Sequence, residues 1–232
     1  MRRTFAYLRT GFSGLNNNRI NELTARHVSS VCWNCQKPGK NMICGDCGSL
    51  QDVDNNTASS SHLQNYFELL NFPTKFELQA SELTQRFRQL QARVHPDKYS
   101  NKTTREQTNS ADWSSLINKA YKTLAAPVER GQYMLQLEGE QMPQDNSALN
   151  TAFLMAMMER NEEVEEADDS KALDQLYAQI VQELADKANK LTAQFETNDL
   201  AAVKQTLVEM KYLLSIQNSI KKKQQQLMSN VA

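Results

Sequence analysis

Glycine and proline are scarce, with seven and five among 232 residues. Sandwiches and barrels need many of both at their turns, so their scarcity argues against those classes and for helices. No apolar run approaches the roughly 18 residues of a membrane-spanning helix. A formal net charge of -1 argues against bulk binding to nucleic acid, although local charge is uneven. Cysteine is absent after Cys47: all four lie at Cys32, Cys35, Cys44 and Cys47. A disulfide framework would spread its cysteines to close loops, whereas clustering points to metal or redox chemistry.

Hydrophobic residues make up 40% of the chain, enough for cores in two or three small domains. The N-terminus is basic and poor in acid. Arg2, Arg3, Arg9, Arg19 and Arg26 stand against Glu22 alone. It lacks the apolar stretch of a secretory signal, so residues 1–28 read as a mitochondrial targeting segment. A basic tail without a targeting role is the other reading. Residues 29–52 carry the cysteines, and the small polar residues of 53–62 read as a linker.

Helical periodicity then takes over. Residues 63–70, 80–94, 111–125 and 128–138 read as four helices, the second with Ser81 as a candidate cap and the last closed by Gly139. Leu83, Phe87, Leu90 and Val94 form one apolar face. After a break at Gln141–Ser147, longer patterns cover 148–166, 170–197 and 199–228. In the last, Leu207, Met210, Leu214, Gln217 and Ile220 resemble the seam of a bundle. Short connections imply antiparallel neighbours, and no internal repeat is apparent. The expected fold is mainly α: a small four-cysteine metal module, a helical hairpin, and a C-terminal three-helix bundle.

Two residues between paired cysteines let both sulfurs reach one ion about 2.3 Å away. Gly45 and Gly48 sit where such a knuckle needs permissive backbone. Four thiolates with no open position describe a structural site, with zinc as the default metal. Iron in a rubredoxin-like site, an iron–sulfur cluster, and two redox or disulfide pairs stay open as alternatives. No His or Glu completes a catalytic zinc site, and Trp33 is placed to shield the metal.

His95-Pro96-Asp97 stands between two helices. Pro96 fixes φ and ends the preceding helix, leaving His95 and Asp97 to dock rather than pack. Arg86 and Arg93, two turns apart, form a basic face with Arg88 off that stripe and Lys98 following. Such a face suits an acidic partner. Catalysis by the His–Asp pair is rejected: Pro96 separates the two rigidly, and no nucleophile or glycine loop is near. No catalytic residue or catalytic cofactor is assigned.

With Asn65-Tyr66-Phe67-Glu68-Leu69-Leu70 before it and Ile117-Asn118-Lys119-Ala120-Tyr121 after it, this tripeptide resembles a J-domain, placed over residues 63–140. In that family the tripeptide and basic helix engage a DnaK-type chaperone and trigger its ATP hydrolysis. Arg130-x2-Tyr133-Met134-Leu135 and Ala152-Phe153-Leu154-Met155, with the acids after it, resemble the HscB family. Those proteins join a J-domain to a C-terminal bundle, here 147–229, and bring an IscU-type iron–sulfur scaffold to a specialised DnaK-type chaperone. Cysteine tetrads ahead of the J-domain resemble the animal mitochondrial members.

The resemblance implies a co-chaperone of the mitochondrial matrix, with a cytosolic pool also allowed. It would not be an enzyme itself. It would promote cluster transfer to acceptor proteins, and its structural zinc module would serve contacts or self-association. Scaffold binding carries over onto Leu154, Met155 and Met158, with Glu159, Glu162 and Glu166, and Tyr212. Met158 stands where leucine is common, and Tyr212 where phenylalanine occurs. By periodicity alone these residues read as bundle core and a solvated acidic face. Two other classes remain: a zinc-ribbon nucleic-acid binder, weakened by Asp46 and Asp52 among few basic residues, and a metal carrier or redox enzyme acting through the cysteines. Neither nucleic acid nor membrane is expected as a partner.

Overall fold

The computed structural model of this chain describes residues 31–38, 41–53, 65–143 and 149–231. The segment 1–28 and nearly all of the linker 53–62 lie outside the described residues. Among those described are seven α-helices: α1 (Tyr66–Leu69), α2 (Ala80–Val94), α3 (Thr104–Ala125), α4 (Pro127–Leu137), α5 (Thr151–Glu166), α6 (Ser170–Glu196) and α7 (Leu200–Val231). A 3-10 turn at Pro96–Tyr99 joins α2 to α3. Strand pairing is confined to isolated bridges among the described residues: Val31 with Pro38, Ile43 with Leu50, and one at Val53.

Local chemistry sets most helix ends. Asn65 caps α1, its side-chain oxygen accepting from the Phe67 amide at 3.0 Å. The helix stops at Leu69, because Asn71 turns left-handed with φ 61°. The start of α2 differs from expectation. The Leu83 amide donates to the Gln79 carbonyl at 2.9 Å, so the helix opens ahead of Ser81, which is no cap. α3 is two turns longer than the periodic stretch 111–125. Thr103 and Glu106 form a reciprocal capping box, with amide-to-side-chain contacts of 3.3 and 3.4 Å. Its first turns carry no apolar stripe and so escape a periodicity argument. Gly139, at φ +77°, lets the Glu140 amide close on the Leu135 carbonyl at 2.9 Å and ends α4.

The chain divides into two compact units. One holds the four-cysteine segment, residues 65–73 and Gln85–Ala120. Within it α2 and α3 are laced by two reciprocal bonds between Gln91 and Ser114, at 3.0 and 3.1 Å. Phe67, Leu70, Leu90, Val94, Trp113 and Ile117 are buried here.

The other unit comprises Thr74–Thr84 and Tyr121–Ala232. In it α7 packs against α4, α5 and α6. Met157 and Val164 from α5, Leu173, Leu176 and Ile180 from α6, and Leu213, Ile216 and Ile220 from α7 form one core. The seam on α7 therefore runs through Leu213 and Ile216 rather than Leu214 and Gln217. Leu214 and Gln217 sit beside it, half-buried. Arg160 of α5 grips Glu183 of α6 with two bonds of 2.9 and 2.6 Å. Gly131 brings α4 close to α7: a Cβ there would lie 2.6 Å from Leu207 Cδ2. No helix among the described residues is long and apolar enough to cross a membrane.

Candidate functional site

The four cysteines converge. Their sulfurs all lie within 4.8 Å of one another. Cys32–Cys47 and Cys35–Cys44 are each 3.7 Å apart. A tetrahedral ion with Zn–S bonds of about 2.3 Å places its sulfurs about 3.8 Å apart, so the donor set fits one four-coordinate thiophilic metal. Two knuckles build the site, and they are copies of one turn. In the first, the Gln36 amide donates to the Cys32 carbonyl at 3.0 Å and the Cys32 amide to the Lys37 carbonyl at 2.9 Å. In the second, Gly48 bonds Cys44 and Cys44 bonds Ser49, each at 3.0 Å. The residue after each second cysteine is left-handed, Gln36 at φ 60° and Gly48 at φ 74°. The chain thus contains a twelve-residue structural repeat that its sequence hides, because only the cysteines recur. Of the two knuckle glycines, only Gly48 needs its freedom; Gly45 has no positive φ.

The sulfurs are electrostatically unequal. The Ser49 hydroxyl, 3.4 Å from Cys47 Sγ, and the Ser49 amide stabilise that thiolate and lower the Cys47 pKa to about 6. A backbone hydrogen bond at Lys37 pulls Cys35 down, yet burial and the other three sulfurs push it up to about 12. Four crowded sulfurs do not all ionise without a cation, and a divalent metal supplies that charge. The exposed Lys37 and Asp46 pair across the two knuckles at 2.7 Å.

The segment following Cys47 lies against α3. Trp113 Nε1 donates to the Gln51 carbonyl at 2.8 Å, and Asn109 Nδ2 to the Leu50 carbonyl at 3.0 Å, both buried. Arg105 makes a two-pronged ion pair with Asp52 and lies over the Trp33 ring, 4.7 Å from its centroid. The guanidinium holds the Asp52 carboxyl below its ordinary range.

Further along, His95 caps the 3-10 turn with φ -56° and ψ 131°, and Pro96 occupies its first position. The Lys98 amide closes the turn on the His95 carbonyl at 3.0 Å. Two anchors hold it from below. Ser110 Oγ donates to the Val94 carbonyl at 2.6 Å, and the buried Tyr99 donates its hydroxyl to the Arg93 carbonyl at 3.3 Å. The His95 and Asp97 side chains face solvent at 54% and 89% exposure, 3.4 Å apart. His95 Nδ1 also accepts from the Asp97 amide at 3.3 Å.

The basic face is narrower than expected. Arg88 and Lys98 are exposed, and Arg93 is half-buried. Arg86 is only 6% exposed and does not belong to a solvent-facing strip. It lies three residues after Leu83 and four before Leu90, hence on the inner face of α2.

On α5, Phe153, Met157 and Val164 turn inward. Met155 and Met158 turn outward with 56% and 64% exposure. Leu154 is half-buried beside them, and Glu159, Glu162 and Glu166 are exposed. Tyr212 of α7 is half-buried and held edge-on against Phe153, with ring centroids 6.0 Å apart.

Two family models match. The DnaJ domain covers residues 65–133, and the HSCB C-terminal oligomerisation domain covers 149–221. The iron-sulfur cluster co-chaperone protein HscB of Mus musculus is 31% identical over 217 residues, spanning 91% of this chain and 90% of its own. The crystal structure of human co-chaperone protein HscB superposes with a TM-score of 0.74 at 32% identity, covering 83% of this chain and 98% of that one. The chaperone HscB from Vibrio cholerae gives 0.64 at 31% identity, over 70% of this chain and 99% of that one. The chain is therefore a member of the HscB family of iron–sulfur cluster co-chaperones, a J-domain and the family's C-terminal domain following a four-cysteine cluster.

Proposed function

We propose that this protein carries an IscU-type scaffold to a DnaK-type chaperone, stimulates that chaperone's ATPase, and so promotes cluster transfer to acceptor proteins. His95, Pro96 and Asp97, with Arg88, Arg93 and Lys98, contact the chaperone. Leu154, Met155 and Met158, flanked by Glu159, Glu162, Glu166 and Tyr212, contact the scaffold. The reaction belongs to the chaperone; this chain supplies contacts and no reacting group.

The observation that supports this most is the pair of methionines. Large apolar side chains one turn apart, more than half exposed on a helix whose other face is well buried, mark a contact surface rather than a core. Flexible thioethers suit an irregular partner. The tripeptide supports the chaperone contact in a similar way, because buried Tyr99 and Ser110 hold a polar tip outward.

The cysteines hold a structural zinc, and this module stabilises contacts of the J-domain or self-association. The description of the matched C-terminal model as an oligomerisation domain favours a self-association role there too. The domains follow as a targeting segment 1–28, a metal module 29–52, a linker 53–62, a J-domain 63–140 and a bundle 147–229. The basic N-terminus directs the protein to the mitochondrial matrix, with a cytosolic pool allowed.

The test is ATP turnover by a DnaK-type chaperone with this protein and an IscU-type scaffold. Both together should raise turnover above either alone. His95→Gln should abolish that rise while leaving the scaffold's dissociation constant unchanged. Turnover indifferent to the wild-type protein would refute the reading.

A further inference from the structure

Two neighbouring stripes of α3 bear on different parts of the same unit. Arg105, Asn109 and Trp113 are spaced by four and form one stripe. They grip the chain just beyond the second knuckle: Asp52, the Leu50 carbonyl and the Gln51 carbonyl. Ser110 and Ser114, each one residue further on, form the next stripe. They hold the Val94 carbonyl and Gln91 at the end of α2. Val94 immediately precedes His95. A path thus runs from the knuckles to the docking tripeptide: the bonds of Asn109, Trp113 and Ser110 are buried, and the backbone of α3 joins the two stripes.

We propose that the metal-bound knuckle pair braces the docking tripeptide: metal loading holds Leu50–Asp52 against Arg105, Asn109 and Trp113, and α3 so held fixes the end of α2 from which His95-Pro96-Asp97 projects. The chemistry requires the ion for this. Small knuckles have little core of their own and fold as the metal binds. Leu50 and Met42 are fully buried, and Gln51 folds back within the module, its side chain accepting from the Trp33 amide at 3.2 Å and donating to the Ser49 carbonyl at 2.7 Å. Without the ion the carbonyls of Leu50 and Gln51 lose their fixed position. The buried donors of Asn109 and Trp113 then lose their acceptors, a loss that buried polar groups resist strongly. Arg105, Asn109 and Trp113 are positioning residues in this scheme, because they act on the tripeptide through α3. The functional consequence rests on the chaperone-docking role given above; the mechanical coupling does not.

Both tryptophans of the chain lie at this junction, and Trp33 Nε1 donates to the Leu50 carbonyl at 2.8 Å. The test uses full-length Trp33→Phe protein, in which Trp113 alone reports. Zinc is removed with a chelator, and its loss is confirmed by metal analysis. The Trp113 emission should shift to longer wavelength. Amides of residues 95–100 and 104–114 should exchange with deuterium at least about tenfold faster. Added zinc should reverse both changes. Asn109→Ala in otherwise wild-type protein should keep its zinc yet show the faster exchange at 95–100. Complete zinc loss with unchanged emission and unchanged exchange would overturn the brace. So would an equal quickening across α6 and α7, which would mark general unfolding. A chaperone ATPase indifferent to the protein would sink the docking role and leave these measurements standing.

Discussion

Replacing Met155 and Met158 together by alanine separates binding from folding. Full burial of a methionine side chain is worth about 1.5–3 kcal/mol. Met155 and Met158 are 56% and 64% exposed in the free protein, so that fraction remains to be covered by a partner. Covering both contributes about 2–3.5 kcal/mol, and the double variant should bind an IscU-type scaffold roughly 30- to 400-fold more weakly. The fold should hardly notice. The core face of α5 is Phe153, Met157 and Val164, and changes at exposed positions usually stay within about 0.5 kcal/mol each. Titration calorimetry and thermal unfolding of the same samples read the two quantities. Leu154→Ala is the internal contrast: this side chain is half-buried, so binding and melting temperature should fall together. An unchanged dissociation constant for the double variant would refute the patch. A melting temperature lowered as far as that of Met157→Ala would show that these side chains are core after all.

Other residues carry sharp expectations. Gly48→Ala puts a side chain at φ 74° with nothing within 4 Å of its Cβ, so its cost is conformational, about 1–2 kcal/mol; metal affinity measured against a competing chelator should fall about 5- to 30-fold. Gly131→Ala drives a Cβ into the fully buried Leu207 and should lower stability by about 1–3 kcal/mol in a denaturant titration. Arg88→Ala should leave the melting temperature alone and slow association with the chaperone, most at low salt. Arg86→Ala should lower the melting temperature, because the side chain it removes is only 6% exposed.

Much of the fold was legible because its signals are local. Asn65, Pro96, Pro127 and Gly139 act on their own turns, and each lies where the chain bends or a helix begins or ends. The beginning of α3 was equally legible in Thr103 and Glu106, but apolar periodicity overlooks a capping box. Arg86 departs from the basic strip for a related reason. Counting arginines finds a basic helix, whereas counting positions from Leu83 and Leu90 finds an inner face. The phase of the α7 seam was a slip of one residue, since Leu213 and Leu214 are equally apolar and only the neighbouring helices choose between them.

By itself the sequence determined a chain of helices, a metal-sized knot of sulfurs and a proline-stiffened polar corner, since each arises from residues a few positions apart. Tertiary structure alone decided which methionines of α5 stay outside, that Leu213 rather than Leu214 goes in, and that the tail of the second knuckle is seated on α3. Those outcomes depend on what neighbouring elements cover. Covering an apolar face or satisfying a carbonyl is a property of two segments far apart in sequence, and neither segment encodes it alone.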